Sequence, residues 1–433
     1  MLVSTNLQTI IDKFVENLQT NLNLMVQKTT MNLREQLFLM NPHWEDNFFY
    51  PFPIKRNIFS KLKSVLPQPL MLSLTGPRRV GKTVLMKQLI NQLIEEGYPR
   101  RNILFFSADD FFGEPLEIVK EWEKILGKKI NGRNYFLFFD EIQNVNEWAK
   151  KLKLLYDNLG IKIFISGSAS MQMRKGSESL AGRVLEFYVP PLFYDEYLLF
   201  SGKSKSELEE KRWEEYQFYM MRQLPELSIY PTLDSKDYIT SIVKKVIYED
   251  VKKYFNVEET EVIDGIFKVI CKDPGQIISV VDIAKDFGIS RVSASNYLFA
   301  LEKSYLIRKL YNYSKNPRKT ETRAKKYYPH YTSLLSYSPP TEFGKIAETE
   351  VAWKTNTEFF WNERGKEIDF IVDRKGIEVK MRKAVDNSDV KWLIKNPIGL
   401  KEKIVVVLPY AKLKLKGVRK VSLDEIDKFA NYN

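Results

Sequence analysis

Cysteine and histidine are scarce in this 433-residue chain, which has one cysteine, Cys271, and two histidines, His43 and His330. A single cysteine excludes an intrachain disulfide and a zinc site made of several thiolates. Two histidines far apart in sequence also disfavour a histidine-based metal site. No apolar run approaches the roughly 18 residues of a membrane span, and the N-terminus lacks the pattern of a secretory signal. We therefore expect a cytosolic (cytoplasmic) protein with no membrane partner.

Acidic residues are fewer than basic ones: the chain has 55 Asp and Glu residues and 67 Lys and Arg residues, which give a formal net charge of +12. Such an excess favours a polyanionic partner, although many basic proteins bind no nucleic acid. Hydrophobic residues make up 44% of the chain and charged residues 28%, which is typical of a globular protein. The length predicts several domains rather than one core.

Apolar segments alternate with helix-like segments between about residues 70 and 190. Strands are predicted for LMLSLTG, NILFFSADD, YFLFFDE and KIFISGS. Because a helical pattern separates successive strands, we expect a parallel sheet covered by helices. Residues 1–45 and the region that follows Pro190-Pro191 read as helical.

The first of these strands continues into TGPRRVGKT, which fits the phosphate-loop pattern G-x-x-x-x-G-K-[ST] from Gly76 to Thr83. Glycines let backbone N–H groups surround phosphate oxygens, and the N-terminus of the next helix adds partial positive charge. We expect Lys82 to contact the β- and γ-phosphates of ATP and the Thr83 hydroxyl to ligate Mg²⁺. The predicted nucleotide-binding residues of the loop are Gly76, Pro77, Arg78, Arg79, Val80, Gly81, Lys82, Thr83 and Val84.

Two acids, Asp140 and Glu141, end the strand YFLFFDE. A buried parallel strand carries such a pair to the carboxyl edge of the sheet, where ligands bind in open α/β sheets. We expect Asp140 to hold Mg²⁺ through water and Glu141 to act catalytically by polarising the attacking water. At the end of the next strand, Ser166 and Ser168 are alternative sensors of the γ-phosphate.

Arginines lie in and after this region, at Arg78, Arg79 and Arg183. For Arg78 and Arg79, phosphate contact and a solvated or interdomain position are equal alternatives. Arg183 follows the flexible Gly182, and we predict a catalytic role for it at the γ-phosphate, either in its own chain or across a contact in a homo-oligomer. An ordinary surface position is the alternative.

Six segments together resemble a family of archaeal and bacterial AAA-type ATPases: NPHW, GPRRVGKT, FFDEIQ, ISGSAS, LAGRV and PPLFYDEYL. The resemblance extends over most of the chain, because such proteins continue into helical, winged-helix and restriction-nuclease-like regions. It implies that Arg183 and Ser168 belong to the nucleotide site. This chain departs from the family at RQLPE, Arg222 to Glu226, where relatives usually carry a Gly-Gly-x-Pro-Glu turn.

The segment SVVDIAKDFGISRVSASNYLFALEKSYLI predicts a winged helix-turn-helix. A first helix ends near Phe287 and meets Gly288, and Ser290 can cap the second helix. We expect the second helix to expose Arg291, Ser293, Asn296 and Tyr297 and to direct Val292, Leu298 and Leu301 inward. A basic segment follows, from Lys303 to Lys326, in which nine Lys and Arg residues face Glu321 alone.

This combination favours DNA contact, although the same module also serves as a packing or lid domain. The predicted DNA-binding residues are Arg291, Ser293, Asn296, Arg318 and Lys319.

The segment RGKEIDFIVDRKGIEVKMRK predicts a β-hairpin with its turn at Lys375-Gly376. Its acid Asp369, followed by Glu378 and Lys380 two residues apart, fits the pattern of PD-(D/E)xK nucleases. Such sites bind Mg²⁺ or Mn²⁺ through carboxylates, and the metal activates water while the lysine acts catalytically on phosphate or water. The upstream helix GKIAETEVAWK supplies Glu348 as the additional acid. Glu350 is less favoured by the spacing in the family.

The expected fold is thus α/β, with a parallel-sheet P-loop NTPase core, a helical and winged-helix region, and a C-terminal nuclease-like domain. The predicted regions are an N-terminal helical segment (1–45), an AAA-type core (46–195), a helical lid (196–258), a winged helix with the basic segment (259–335) and the nuclease-like domain (336–433). We expect ATP, Mg²⁺ (or Mn²⁺ at the nuclease-like site) and DNA as cofactors and partners. The leading function is an ATPase that binds and cleaves DNA, and the alternative is an ATP-controlled switch or assembly protein with an inactive nuclease-like domain.

Overall fold

A computed structural model describes residues 31–109, 114–167, 180–204, 206, 208 and 210–429. These residues form two compact units. The first consists of the described residues within 31–75, 82–167 and 180–187, and the second of those within 76–81 and 188–429. Of the predicted N-terminal helical segment, residues 1–30 lie outside the described residues. None of the helices in the described ranges combines the length and the apolar character needed to cross a bilayer.

The described strands of the first unit form one sheet in the order β2-β3-β4-β1-β5. β2 pairs in parallel with β3, β3 with β4, and β4 with β1, as expected from the sequence. The strands are β1 (Met71–Thr75), β2 (Ile103–Ser107), β3 (Phe136–Asp140), β4 (Lys162–Gly167) and β5 (Val184–Tyr188). The helices are α1 (Leu33–Met40), α2 (Ile58–Ser64), α3 (Lys82–Glu95), α4 (Pro115–Leu126) and α5 (Trp148–Leu159).

The central strands β1, β3 and β4 are buried along their whole length. Continuous apolar strands of this kind are typical of a parallel sheet with both faces covered. Within the sheet, the rings of Phe138 and Phe164 stack with their centroids 4.1 Å apart. The sheet is therefore a rigid support for side chains that leave its carboxyl edge.

The NPHW segment covers the edge strand β2. The Asn41 side chain accepts from the backbone N–H of Phe105 at 2.6 Å and donates to the Phe105 carbonyl at 2.9 Å, as a neighbouring strand would. The rings of His43 and Trp44 both reach the carbonyl of Ile103, at 3.0 and 2.7 Å. Side chains thus satisfy the backbone groups that an edge strand leaves unpaired.

The second unit begins with a helical region and continues into mixed α/β structure. Its α-helices are α6 (Tyr194–Phe200), α7 (Arg212–Met220), α8 (Pro225–Ile229), α9 (Ser235–Lys245), α10 (Lys252–Phe255), α11 (Thr260–Lys272), α12 (Val280–Asp286), α13 (Arg291–Lys303), α14 (Pro317–Thr322), α15 (Phe343–Lys354) and α16 (Lys391–Lys395). A π-helical turn, Val246–Val251, joins α9 to α10.

One sheet joins the helix-turn-helix region to the C-terminal region, in the order β15-β13-β11-β10-β9-β7-β8-β6. The connection is made by β7 and β9, which pair in parallel. The strands are β6 (Ile277–Ile278), β7 (Ile307–Asn312), β8 (Lys325–Pro329), β9 (Phe359–Glu363), β10 (Lys366–Val372), β11 (Lys375–Lys380), β13 (Glu402–Val407) and β15 (Arg419–Ser422). Two short strands, β12 (Ala384–Asp386) and β14 (Lys412–Lys414), pair with each other. The predicted boundary between residues 335 and 336 therefore falls within a continuous sheet.

The turn of the helix-turn-helix lies where the sequence predicts it, but two residues of the second helix differ from the prediction in their exposure. Gly288 has a φ of 64°, and the Ser290 side chain accepts from the Ser293 N–H at 3.0 Å, which caps α13. The expected directions of two residues are wrong, because Val292 is 70% exposed and Tyr297 is buried. The buried face of α13 contains Ala294 and, at helical spacing after it, Tyr297, Leu298 and Leu301. Val292 lies on the opposite side of the helix.

The hairpin turn also differs from the prediction. Val372 pairs with Lys375, and the two residues between them, Asp373 and Arg374, have φ values of 47° and 64°. Positive φ at both central positions is the geometry of a type I′ turn. Gly376 lies inside β11 instead, where a Cβ would come within 2.4 Å of Leu400 Cδ1. This glycine is needed for packing rather than for the turn.

Candidate functional site

The phosphate loop connects β1 to α3. Gly76 has a φ of 143°, and a Cβ there would lie 2.3 Å from the carbonyl oxygen of Val189, so only glycine fits. Arg79 and Gly81 also have positive φ, at 66° and 93°. Such changes of backbone hand let successive N–H groups point toward one anion. The chain then enters α3 with Lys82, whose side chain is largely buried.

Thr83 and Asp140 are in direct contact in the first unit. The Thr83 hydroxyl donates to Asp140 Oδ2 at 2.6 Å, and the Ser166 hydroxyl donates to Asp140 Oδ1. Burial and the charge of Glu141 raise the pKa of Asp140, while the two hydroxyl donors and Lys82 oppose this effect. The predicted metal ligands of the ATPase site are thus brought together, and Ser166, one of the two alternative serines, holds the carboxylate. Ser168 lies outside the described residues.

Glu141 follows β3 with a left-handed backbone, at a φ of 51°. This conformation is costly for a residue with a Cβ and is found at sites where the direction of a side chain matters. Its N–H donates to Ser166 Oγ at 3.2 Å, and Gln143 Nε2 donates to its carboxylate. The sequence analysis does not predict this contact of Gln143. The position of Gln143 two residues after Glu141 is the signal that could have suggested it.

Arg78 and Arg79 are paired with acids of the helical region. Arg78 donates to both oxygens of Asp250, with Nε 2.5 Å from Oδ2 and Nη2 2.6 Å from Oδ1. Arg79 Nη1 lies 3.7 Å from Glu226 Oε1 in a more exposed position. The sequence left phosphate contact and a solvated or interdomain position open for these two arginines. In this structure both contact acids from a distant part of the chain. No local pattern indicates Asp250, which is 172 residues away.

The atypical RQLPE segment is held by its own arginine. The buried Arg222 guanidinium donates to the carbonyls of Leu227, Tyr230 and Leu233 at 2.7–2.9 Å. Pro225 starts α8, and its Cγ would lie 4.0 Å from a Cβ placed at Gly81. The turn geometry left in doubt by the sequence is therefore ordered, and it lies beside the phosphate loop.

Arg183 lies at the amino end of the first sheet, which corrects the prediction of a γ-phosphate contact in its own chain. Its carbonyl accepts from the N–H of Met71, the first residue of β1, at 2.8 Å. The phosphate loop leaves the other end of this five-residue strand, about 13 Å away. The guanidinium instead pairs with Asp157, with Nε 2.9 Å from Oδ1. A role across a contact between two copies stays a prediction.

In the second unit, acids and a lysine surround Asp369; we call Glu348, Asp369, Glu378 and Lys380 the acidic site. Lys380 Nζ lies 2.5 Å from Glu378 Oε2 and 3.6 Å from Asp369 Oδ2. Asp369 Oδ2 also accepts from the Val379 N–H at 2.9 Å. A register shift between Ile368 and Ile371 occurs in the pairing of β10 with β9, and such bulges redirect side chains.

The charged groups of the acidic site change one another's pKa values. Burial and the charge of Asp369 raise the pKa of Glu348 and of Glu378. Burial acts against ionisation of Asp369 too, but the charges of Lys380 and Lys326 outweigh it and lower the pKa of Asp369. Asp369 is therefore the anionic centre of the group, and the two glutamates hold protons more tightly than usual.

Glu348, rather than Glu350, belongs to this group. Glu350 is fully buried elsewhere in the core and accepts from Tyr216, Gln223, Thr332 and Trp353 at 2.5–2.9 Å. Such a fully satisfied carboxylate is structural. Glu348, the acid chosen from the sequence and the family resemblance, lies within reach of the charge of Asp369, and its role as a metal ligand stays a prediction.

Within the described ranges, no group of three or more His, Cys, Asp or Glu side chains is arranged to hold a metal ion. In the acidic site, Lys380 lies on the carboxylates of Glu378 and Asp369. The oxygens are of the hard type that Mg²⁺ and Mn²⁺ prefer, and mutual repulsion among them is the condition that a divalent cation relieves. The donor set therefore fits such an ion, although its present conformation is an ion-paired one.

The predicted DNA-binding residues occupy α13 and α14. Arg291 and Asn296 are exposed, while Ser293 is half-buried and shares a hydrogen bond with Ser290. Arg318 and Lys319 are exposed on α14, with Lys315 just before it. The rest of the basic segment is less available: Lys309 is 2.9 Å from Glu302, and Lys326 is buried against Glu367.

Comparisons with known proteins cover the region of the first of these sites. Residues 68–198 match the family model described as an AAA domain, and residues 224–339 match a domain of unknown function. The phosphate loop, the acidic pair and the parallel sheet all lie in the AAA match, so this part of the chain is a P-loop NTPase core. The match covers less than half of the chain.

Curated relatives carry no stated activity. An uncharacterized protein of Haemophilus influenzae is 25% identical over 249 residues, which are 55% of this chain and 62% of the relative. An uncharacterized protein of Methanocaldococcus jannaschii is 28% identical over 334 residues, which are 73% of this chain and 68% of the relative. The chain thus spans about three fifths of the length of the first relative.

Two solved structures are more distant. AMPPCP-bound DnaA from Aquifex aeolicus has a TM-score of 0.29 and 18% identity, covering 61% of this chain and 92% of that one. The Pif1 helicase of Candida albicans has a TM-score of 0.25 and 14% identity, covering 37% and 47%. Scores of this size do not establish a common fold, and we draw nothing from them about this chain.

Proposed function

We propose that this chain is an Mg²⁺-dependent ATP hydrolase that binds DNA through a winged helix and cleaves DNA at the acidic site with Mg²⁺ or Mn²⁺. The observation that carries the ATPase part is the direct contact of Thr83 with Asp140, because it joins the two residues expected to share the metal. The nuclease part is carried by the arrangement of Glu348, Glu378 and Lys380 around Asp369.

At the ATPase site, Thr83 and Asp140 would hold Mg²⁺, which neutralises charge on the β- and γ-phosphates. Lys82 binds the same phosphates as a point charge, and the backbone N–H groups of the loop orient them. Ser166 keeps Asp140 directed toward Thr83. Glu141, held at its unusual backbone angle, orients and polarises the attacking water.

DNA binding is supported by exposed cations on α13 and α14. Arg318 and Lys319 on α14 would contact phosphates without regard to sequence, and Arg291 and Asn296 near the start of α13 would reach base edges. Ser293 is the least favoured of the predicted contacts, because its hydroxyl is engaged by the helix cap.

At the acidic site, Glu348, Asp369 and Glu378 would hold a divalent cation, which supplies Lewis-acid activation of water. Lys380, which here pairs with Glu378, would act on the scissile phosphate and stabilise the developing negative charge. Burial of Asp369 and Glu378 excludes bulk water from their ion pairs.

The second candidate is an ATP-controlled switch or assembly protein with an inactive acidic site. It is favoured by the position of Lys380, whose ammonium is already paired with the carboxylates of both Glu378 and Asp369. The deciding experiment is nicking of supercoiled plasmid by the purified full chain with Mg²⁺ or Mn²⁺, with and without ATP, beside an ATPase assay. Hydrolysis of ATP with nicking supports the first function. Hydrolysis without nicking under all conditions supports the second.

A further inference from the structure

The strand β8 connects the basic helix α14 to the acidic site. Two of its residues, Lys326 and Tyr328, are two positions apart and therefore project to the same face. Both are buried, with exposed fractions of 3% and 0%. Tyr328 belongs to the same hydrophobic core as Phe370 of β10 and Val379 of β11, so β8 packs with the strands that carry the acids.

Lys326 faces the acids from this strand. Its Nζ lies 2.5 Å from Glu367 Oε1, and the other oxygen of Glu367 accepts from Asn362 Nδ2 at 2.7 Å. Glu367 is two residues before Asp369 on β10. The charges of Asp369, Glu367 and Glu348 together outweigh burial and raise the pKa of Lys326. A buried ammonium thus lies in the electric field of the acidic site.

Tyr328 contacts the acidic site directly. Its hydroxyl donates to Glu348 Oε2 at 3.1 Å. The hydroxyl lies close to Gly275, where a Cβ would come within 2.4 Å of it. The ring of Tyr328 packs against Phe370, with centroids 5.6 Å apart. This hydrogen bond limits the orientations open to the carboxylate of Glu348.

We propose that Lys326 and Tyr328 are positioning residues of the acidic site, so that the site is assembled jointly by the DNA-binding region and the C-terminal region. The inference rests on the proposed metal-dependent function. Tyr328 orients Glu348 toward the cation, and Lys326 balances part of the negative charge next to Asp369.

The two residues have opposite expected effects on metal binding. Tyr328→Phe keeps the ring and removes the hydroxyl, so Glu348 loses its orientation and Mn²⁺ affinity falls about tenfold or more, as for other residues that hold a metal ligand. Lys326→Met removes a positive charge beside the acids, so Mn²⁺ binds several-fold more tightly. Lys326→Arg, which keeps the charge, should return the affinity toward that of the wild type.

Two residues of the same strand, whose side chains project to the opposite face, provide matched controls. Tyr327→Phe and Lys325→Met make the same chemical changes at neighbouring residues that project to the other face. Both should leave Mn²⁺ affinity unchanged. Titration calorimetry of the full chain with Mn²⁺, without ATP and with Asp369→Asn as the reference for other metal sites, measures these affinities. Circular dichroism shows that each variant is folded.

The outcomes separate this inference from the proposed function. If the wild type shows no Mn²⁺ binding beyond the Asp369→Asn reference, the metal site itself is wrong and the inference falls with it. If the wild type binds Mn²⁺ and Tyr328→Phe and Lys326→Met bind it equally well, the two residues are only structural and this inference alone is overturned. If a variant at residue 328 or 326 does not fold, the other variant and Lys326→Arg still decide the result.

Discussion

The guanidinium of Arg78, in the phosphate loop, donates to both carboxylate oxygens of Asp250 at 2.5 and 2.6 Å. Both side chains are largely shielded, with exposed fractions of 15% and 9%. A planar guanidinium that satisfies a carboxylate in this way cannot offer the same donors to a phosphate. Contact of Arg78 with a phosphate would therefore require it to leave Asp250.

Substitution of Asp250 by Asn should weaken this pair and free Arg78 for the phosphates. We expect ATP affinity to increase several-fold and the unfolding free energy to fall by about 1–3 kcal/mol, because a partly buried charge loses its partner. Glu249→Gln, an exposed acid next in sequence, is the control and should change neither quantity. Fluorescent-nucleotide titration and urea unfolding provide the two measurements. Weaker ATP binding in Asp250→Asn would show that the pair supports the loop instead.

The ATPase residues have separable roles. Lys82→Ala should lose nucleotide affinity, because the point charge on the phosphates is removed. Glu141→Gln should bind ATP normally but hydrolyse it at least a hundredfold more slowly, as expected for loss of a general base. Glu147→Gln changes another glutamate with a left-handed backbone, far more exposed, and should leave turnover intact. Normal turnover in Glu141→Gln would refute its assignment as the base.

Exposed cations near α14 should give DNA binding a steep dependence on salt. Replacing Lys315, Arg318 and Lys319 together by Gln removes three phosphate contacts, so the slope of log K against log salt should become shallower by about three. ATP hydrolysis without DNA should stay the same. Fluorescence anisotropy with labelled duplex DNA at several salt concentrations measures the slope.

The control for this triple variant changes three exposed cations in the first unit, Lys128, Lys129 and Arg133. Its slope should equal that of the wild type. Equal loss of slope in both variants would mean that the binding is nonspecific attraction to the overall positive charge.

The acidic site should make the protein more stable when metal is present. A ligand at 100 times its dissociation constant adds about 2.7 kcal/mol, so Mn²⁺ should raise the melting temperature of the wild type by several degrees. Asp369→Asn should abolish both this shift and plasmid nicking, whereas Asp373→Asn, an exposed acid in the hairpin turn, should retain both. Lys380→Ala should keep the shift and lose nicking, because the lysine acts on phosphate. Absence of a shift in the wild type would mean that the site is vestigial.

Acid sensitivity is expected from His43 in the first unit. Burial lowers the pKa of His43 from 6.5 to about 4, so the folded protein resists a proton that the unfolded chain accepts. Stability is therefore full above pH 6.5 and is lost as the pH falls toward 4. Between pH 7 and 5 the loss from this residue is about 2 kcal/mol. Urea unfolding at the two pH values should show a smaller difference in His43→Gln, and an equal difference would exclude the histidine as the cause.

Local patterns predicted the ATPase core well. The strands, the phosphate loop and the acidic pair are specified by short segments, and a parallel sheet brings the ends of its strands together whatever the intervening chain contains. This is why Thr83 and Asp140, 57 residues apart, could be predicted to share a site. The AAA match confirms the class of this core.

Features that depend on distant partners could not be predicted in this way. The direction of Val292 follows from which elements cover α13, and the pairing of Arg78 follows from the position of Asp250. Gly376 was read as a turn residue because glycine usually marks turns, but its role is to make room for Leu400. A glycine can allow a turn or make room for a neighbouring side chain, and the sequence does not distinguish these two roles.

The sheet shared by β7 and β9 limits how the chain can be divided. A cut between residues 335 and 336 would leave β9, with its buried Phe360, as an unpaired edge in one fragment and β7 as an unpaired edge in the other. Exposed apolar strand edges pair with any similar strand available, which leads to aggregation. Fragments made at that point should therefore be insoluble when expressed separately, and co-expression should recover them as a complex through the same strand pair.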